Sequence, residues 1–252
     1  MSTWVLLRGL TRDSRHWGHF PRVFGETIAN AAIVPLDFPG NGAANAEKSP
    51  VTIEALVECC RSTLVLRGIA PPYHVLAMSL GAMVTVSWAA RYPTEIPACV
   101  LINTSLRPLA PFYWRLRPAN YVPILRLLLL GDRVDPEAAI LRMTSRRLAQ
   151  TNVVLEDWRR FRHERPVARG NALRQLLAAA RFRAPATRPA ARILVLASRC
   201  DTLVDARCSR TLATAWRAEF AEHPSAGHDL PLDDGAWVAH KVREWLLLSS
   251  AG

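Results

Sequence analysis

Residues 73–81 read Tyr73-His74-Val75-Leu76-Ala77-Met78-Ser79-Leu80-Gly81, and this stretch decides the fold. An apolar run of strand type leads to a serine flanked by small residues, and a helical pattern occupies residues 82–91. A serine on a sharp strand-to-helix turn is exposed and strained, and a side chain beyond a methyl at 77 or 81 would collide with the neighbouring strand or helix. Ala77 and Gly81 meet that demand. A five-residue match of this kind is weak by itself. It gains weight from two residues further along the chain: Asp201 lies past the run Ile193-Leu194-Val195-Leu196-Ala197, and His228 lies in the loop after residues 219–223. Serine, acid and histidine thus occur in the order expected of one catalytic arrangement.

Working outward, strand and helix patterns alternate. Residues 4–7 form a short apolar run ending at Arg8-Gly9, and residues 31–36 form another, ending in the turn-rich Asp37-Phe38-Pro39-Gly40-Asn41-Gly42. Residues 17–29 between them have helical character. Ile53, Leu56, Val57, Cys60 and Leu64 recur at helix spacing, with Thr52 or Ser49 as start signals. Residues 98–102 and 192–197 read as buried strands, 219–223 as a short edge strand and 234–248 as the last helix. Strands separated by helices require crossovers and therefore a parallel sheet covered on both faces. The expected class is α/β, a mostly parallel sheet of about six strands.

Between residues 107 and 186 the pattern changes to strand-poor, Arg-rich and helical, punctuated by Pro108, Pro111, Pro118, Pro123, Pro136 and Pro166. We expect a helical cap of about four helices there, inserted into a core made of residues 1–106 and 187–252. No fixed-period repeat is evident.

Composition narrows the function classes. Half of the 252 residues are hydrophobic, enough for a sizeable core. No apolar stretch reaches bilayer-spanning length, so no integral membrane segment is expected. The N-terminal residues lack the layout of a secretory signal, and a cytoplasmic location is expected. Cys59, Cys60, Cys99, Cys200 and Cys208 make an odd set with no Cys-x-x-Cys pair and no zinc-type histidine spacing, which argues for reduced thiols and against a metal site. The formal charge of +11 is almost wholly arginine, with lysine only at Lys48 and Lys241. No groove-reading or base-stacking motif accompanies it, so nucleic acid is not the expected partner.

The chemistry rests on the residue types. A serine hydroxyl is a poor nucleophile near neutral pH, so a histidine must take its proton and later pass it to the leaving group. His228 is placed for that work. His223 belongs to the strand before it, and His16, His19, His74, His163 and His240 have no comparable setting. Asp201 stands where its carboxylate can fix the imidazole tautomer and stabilise the imidazolium. Asp205 is the competitor and reads better as a helix-start cap. The loop after residues 98–102, Asn103-Thr104-Ser105, offers no carboxylate.

With these residues in view, the chain resembles the α/β-hydrolase family over nearly its whole length. The matching features are Arg8-Gly9-Leu10 with Trp17 downstream, residues 37–42, the Ser79 turn, Ser198-Arg199-Cys200-Asp201-Thr202-Leu203-Val204, and Ala226-Gly227-His228-Asp229. The resemblance implies that the family's N-terminal hairpin is missing. It further implies that an oxyanion is held by the backbone N–H groups of Leu10 and Leu80. The family usually has His where this chain has Arg8, which either pairs with a nearby acid or projects toward an anionic group of the substrate. Dehalogenases and epoxide hydrolases of the family use an Asp at the turn, against which Ser79 argues.

These readings converge on a serine hydrolase cleaving a carboxylic ester or thioester through an acyl-enzyme, with no metal or organic cofactor. A lyase, an acyltransferase and a small-ligand receptor are the alternatives. In the cap, Trp114, Tyr121 and Trp158, with Phe112, Tyr113 and the aliphatic residues 124–130, are candidates to roof an apolar acyl site. The arginines of the same segment suit a carboxylate-bearing substrate, an acidic acyl carrier or an anionic membrane surface.

Overall fold

The computed structural model describes residues 2–130, 133–147 and 151–248. Six strands, β1 (Ser2–Leu7), β2 (Ala31–Leu36), β3 (Tyr73–Met78), β4 (Ala98–Ile102), β5 (Arg192–Ser198) and β6 (Glu219–His223), pair in the order β2-β1-β3-β4-β5-β6. Every pairing is parallel. Because side chains alternate across a strand, each central strand feeds two cores. Val5, Leu7, Val75, Ala77, Leu101 and Val195 pack on one face against α2 (Ile53–Leu66), α3 (Leu80–Arg91) and α9 (Arg207–Trp216). Trp4, Leu6, Leu76, Met78, Val100 and Leu196 pack on the other against α1 (Phe20–Thr27) and α10 (Leu230–Leu248). Burial on both faces is why these strands read as continuous apolar runs. Cys60, Cys99 and Cys208 are buried, and all five cysteines are free thiols.

Two helix expectations change in detail. The helix expected over 17–29 begins only at Phe20, because Gly18 adopts a left-handed φ of 53° and ends the short turn Ser14–Trp17. The last helix starts four residues early, at Leu230, and is broken at Asp234, whose φ of −152° is not helical. Thr52 supplies the start of α2, its side chain accepting from the Ala55 N–H, whereas Ser49 is buried and donates to the Pro39 carbonyl.

Between β4 and β5 the described residues form five α-helices where about four were expected: α4 (Phe112–Arg115), α5 (Tyr121–Leu130), α6 (Pro136–Thr144), α7 (Thr151–Glu164) and α8 (Arg169–Arg181). The additional one is the single turn α4. Polar side chains fasten these helices to loops at the carboxyl ends of the strands. The buried Gln175 accepts from the Thr11 N–H at 2.8 Å and donates to Asn41 Oδ1 at 2.8 Å and Ser49 Oγ at 3.0 Å, while Asn171 accepts from the Ser49 N–H. A buried amide whose polar atoms are all paired fixes one docking geometry.

Candidate active site

Ser79 joins β3 to α3 with φ 52° and ψ −115°, a conformation that costs an ordinary side chain on the order of 1–3 kcal/mol. Neighbouring elements hold it there. Its N–H donates to the Ile102 carbonyl at 3.0 Å, and its carbonyl accepts from the Ala82 N–H and from Thr104 Oγ1. Gly81 has a specific reason to be glycine. A Cβ there would lie 2.6 Å from the Leu7 carbonyl oxygen and 2.7 Å from that of Arg8, so the small residue lets the end of β1 pass directly beneath the first turn of α3. Gly9 similarly lies against Ser79, where a Cβ would approach the Ser79 Cβ to 3.3 Å. Among the described residues, the N–H groups of Leu10 and Leu80 donate to no protein acceptor.

His228 and Asp201 meet across the ends of β6 and β5. His228 Nδ1 lies 2.7 Å from Asp201 Oδ2, with both side chains buried. The other Asp201 oxygen accepts from the backbone N–H groups of Leu203 and Val204 at 2.8 and 2.9 Å, which fixes the plane of the carboxylate. Burial disfavours the imidazolium. The charge and hydrogen bond of Asp201, helped by Asp229, outweigh it and raise the His228 pKa above its ordinary value. Asp205 points elsewhere: it accepts from the Arg207 N–H at the start of α9 and pairs with the Arg207 and Arg117 guanidinium groups, which hold it down at about 2.

Ser79 and His228 line one cavity of about 190 Å³. Among the described residues the Ser79 hydroxyl makes no hydrogen bond, a looseness common in such sites before substrate closes the geometry. One wall is apolar, with Ile124, Leu127, Leu128, Met143, Phe161 and Leu176 from α5 to α8, and the other is the loop after β1 with Arg8, Arg12 and His16.

The substrate-contact candidates need correction. Arg8 lines the cavity, yet its guanidinium is buried and bound to Asp229, so the pairing alternative describes it and an outward anion-binding role does not. Trp114 lies outside this cavity, packed with Val204 and Cys208 under the Arg207 guanidinium. Tyr121 is exposed on α5, and Trp158 is buried against His16 and the Arg12 guanidinium. Trp114 and Trp158 are spent on packing these helices against neighbouring loops, and Tyr121 on neither packing nor the cavity. The cavity wall comes instead from the aliphatic faces of α5, α6 and α8 with Phe161, the one ring on that wall among the described residues.

Two groups lacked an assigned role in the sequence. Asn103, at a left-handed φ of 45°, accepts from the Ser198 N–H at 2.8 Å and donates to the His228 carbonyl at 2.8 Å, tying β5 to the histidine loop. Asp233 accepts from the Gly227 N–H at 2.6 Å and from Ser145 Oγ at 2.5 Å, joining that loop to the end of α6. A short polar residue just past a buried strand was the available signal for Asn103, since asparagine tolerates that backbone region.

Residues 4–241 match the model of the alpha/beta hydrolase family. The chain belongs to this family. Several solved members share its fold. An enol-lactonase from Burkholderia xenovorans LB400 superposes with a TM-score of 0.79 at 21% identity, covering 98% of this chain and 91% of its own. An esterase from Rhodococcus sp. ECU1013 gives 0.79 at 16% identity, covering 100% and 91%. A thermophilic esterase from Thermogutta terrifontis gives 0.75 at 18%, covering 98% and 89%. No curated protein is significantly similar in sequence. This alpha/beta hydrolase has no described helix long and apolar enough to cross a membrane.

Proposed function

We propose that the protein hydrolyses a carboxylic ester or thioester through an acyl-enzyme, with Ser79 as nucleophile, His228 as the proton carrier and Asp201 as the group that orients it. The observation that carries this reading is the buried 2.7 Å contact between Asp201 and His228, which itself lines the cavity that Ser79 lines from its strained turn. Attack by Ser79 on the carbonyl carbon would pass its proton to His228 Nε2. The free N–H groups of Leu10 and Leu80 would receive the oxyanion, and each such donor is worth on the order of 10² to 10³ in rate. In this reading residues 107–186 serve as a cap whose aliphatic wall takes the acyl part of the substrate, while residues 1–106 and 187–252 form the catalytic core. The solved esterases and the enol-lactonase of the same fold keep company with carbonyl-ester chemistry.

The test pairs fluorophosphonate labelling with turnover of p-nitrophenyl esters of graded acyl length, comparing the parent with Ser79→Ala. Labelling and turnover should both vanish in the variant. Equal labelling of parent and variant would remove Ser79 from the mechanism.

A further inference from the structure

Helices α5 and α8 present two apolar sides. Ile124, Leu127, Leu128 and Leu176 face the cavity. Val122, Leu125 and Leu129 of α5, spaced three and four residues apart, are instead 61%, 54% and 67% exposed, and Leu173 and Leu177 of α8 are exposed as well. Such spacing puts each set on one helix stripe. The helices adjoin: the Arg169 guanidinium at the start of α8 donates to the Leu129 and Leu130 carbonyls at 3.2 and 3.3 Å, and Arg115 of α4 donates to the Ala179 carbonyl at the other end of α8. That second contact sets the single turn α4, which carries the exposed Phe112, against the far end of α8, while Tyr113 lies with Arg117, Asp205 and Arg207 beside α9. Among the described residues, ten of the fifteen exposed large hydrophobic side chains fall between Phe112 and Leu177, so the distribution is concentrated rather than scattered, as an interaction surface requires.

Charge identifies the occupant. The sequences of α5 and α8 contain four arginines and no acid; Arg174 turns to the Ser49 carbonyl, and Arg126, Arg169 and Arg181 are exposed. A second copy of the chain would bring two such arginine sets together without a carboxylate on either helix to offset them. An acidic protein would satisfy the arginines and leave the leucines and aromatic rings wet. An anionic lipid surface satisfies both, because phosphate headgroups meet the guanidinium groups while aliphatic and aromatic side chains enter the acyl boundary. The cavity points the same way. Among the described residues, Arg165 and Arg169 are the only exposed ones on its lining, so its mouth adjoins the end of α5 where Leu129 is exposed.

We propose that the face formed by α4, α5 and α8 docks on anionic lipid surfaces and holds the cavity mouth against them. The decisive experiment is cosedimentation of the full chain with vesicles of phosphatidylcholine, alone or with roughly a third phosphatidylglycerol, together with the variant Leu125→Asp/Leu129→Asp and its thermal midpoint as a control for folding. Binding is read without any turnover, so it stands or falls separately from the ester-hydrolase reading. The parent should bind anionic vesicles at least about tenfold more tightly than neutral ones, and the folded variant should lose about tenfold of that affinity. Equal affinity for both vesicle types, or equal binding by parent and variant, would overturn the proposal. So would a parent that ignores vesicles while dimerising, or capturing an acidic acyl carrier protein, through the same two leucines.

Discussion

The Arg8 guanidinium donates to both carboxylate oxygens of Asp229, at 3.1 and 2.5 Å, with both side chains buried. Arg8 opens the loop after the first strand and Asp229 adjoins the histidine, so the pair clamps the loop beside Ser79 to the loop bearing His228. Burial raises the pKa of a carboxyl group, but here Arg8 outweighs burial and holds Asp229 below its ordinary value. Arg8→Met leaves that carboxylate buried without its partner and should cost about 3–5 kcal/mol in urea unfolding. Arg8→Met/Asp229→Leu should recover most of it. Because the folded pKa is depressed, the pair's contribution is fully present above the unfolded carboxylate value of about 3.9 and fades as pH falls through the lower folded value. The parent should therefore lose stability relative to the double variant, which has no carboxylate at 229, only as the pH falls below about 3.9.

In the proposed mechanism His228 must be neutral to accept a proton, so kcat/KM should rise with pH along its titration. The midpoint should lie above the ordinary histidine value of 6.5, since Asp201 and Asp229 together override desolvation. Asp201→Asn removes the strongest raising influence while keeping the side chain's size. The midpoint should fall and the rate drop by about 10⁴. A midpoint that stayed in place would assign the orienting role to another acid.

Asn103 touches neither the hydroxyl nor the imidazole, and it acts by placing the histidine backbone. Asn103→Ala loses the bonds to the Ser198 N–H and the His228 carbonyl while keeping a left-handed backbone that alanine disfavours. We expect kcat to fall about tenfold with KM nearly unchanged, and stability to fall by about 1–3 kcal/mol. Asn103→Asp keeps the acceptor for Ser198 but sets a carboxylate against the His228 carbonyl, so it should not rescue kcat. Rescue would leave the donated hydrogen bond without a role.

The strands were legible because a parallel sheet covered on both faces demands uninterrupted apolar runs, and residues 31–36, 98–102 and 219–223 coincide with β2, β4 and β6. Asp201 and His228 could be picked out because chain order and strand ends constrain where such groups fall. The clamps could not. Arg12 binds Glu137 at 2.5 Å and Gln175 reaches Asn41 and Ser49, contacts between segments more than a hundred residues apart that no local period encodes. The aromatic residues misled for a related reason. Trp114 and Trp158 are hydrophobic in sequence whether they line a cavity or seal a helix, and only the packing of α4 and α7 decides.

Gly81→Ala sets two known effects against each other. Within a helix, alanine gains roughly 0.8–1.0 kcal/mol over glycine in propensity. At this position the added Cβ would sit 2.6 and 2.7 Å from two backbone carbonyl oxygens, of Leu7 and Arg8, which cannot yield without moving β1 or the turn. The clash should win: the thermal midpoint falls, and turnover falls further than stability alone explains, because the displaced atoms flank Ser79 and Leu10. Gly170→Ala is the control, since it lies in α8 with nothing within 4 Å of the added carbon. There only the propensity and the narrowed unfolded ensemble act, and stability should rise by about 0.4–1 kcal/mol. If both variants were stabilised alike, the packing of β1 beneath the first turn of α3 would be looser than the position of Gly81 requires.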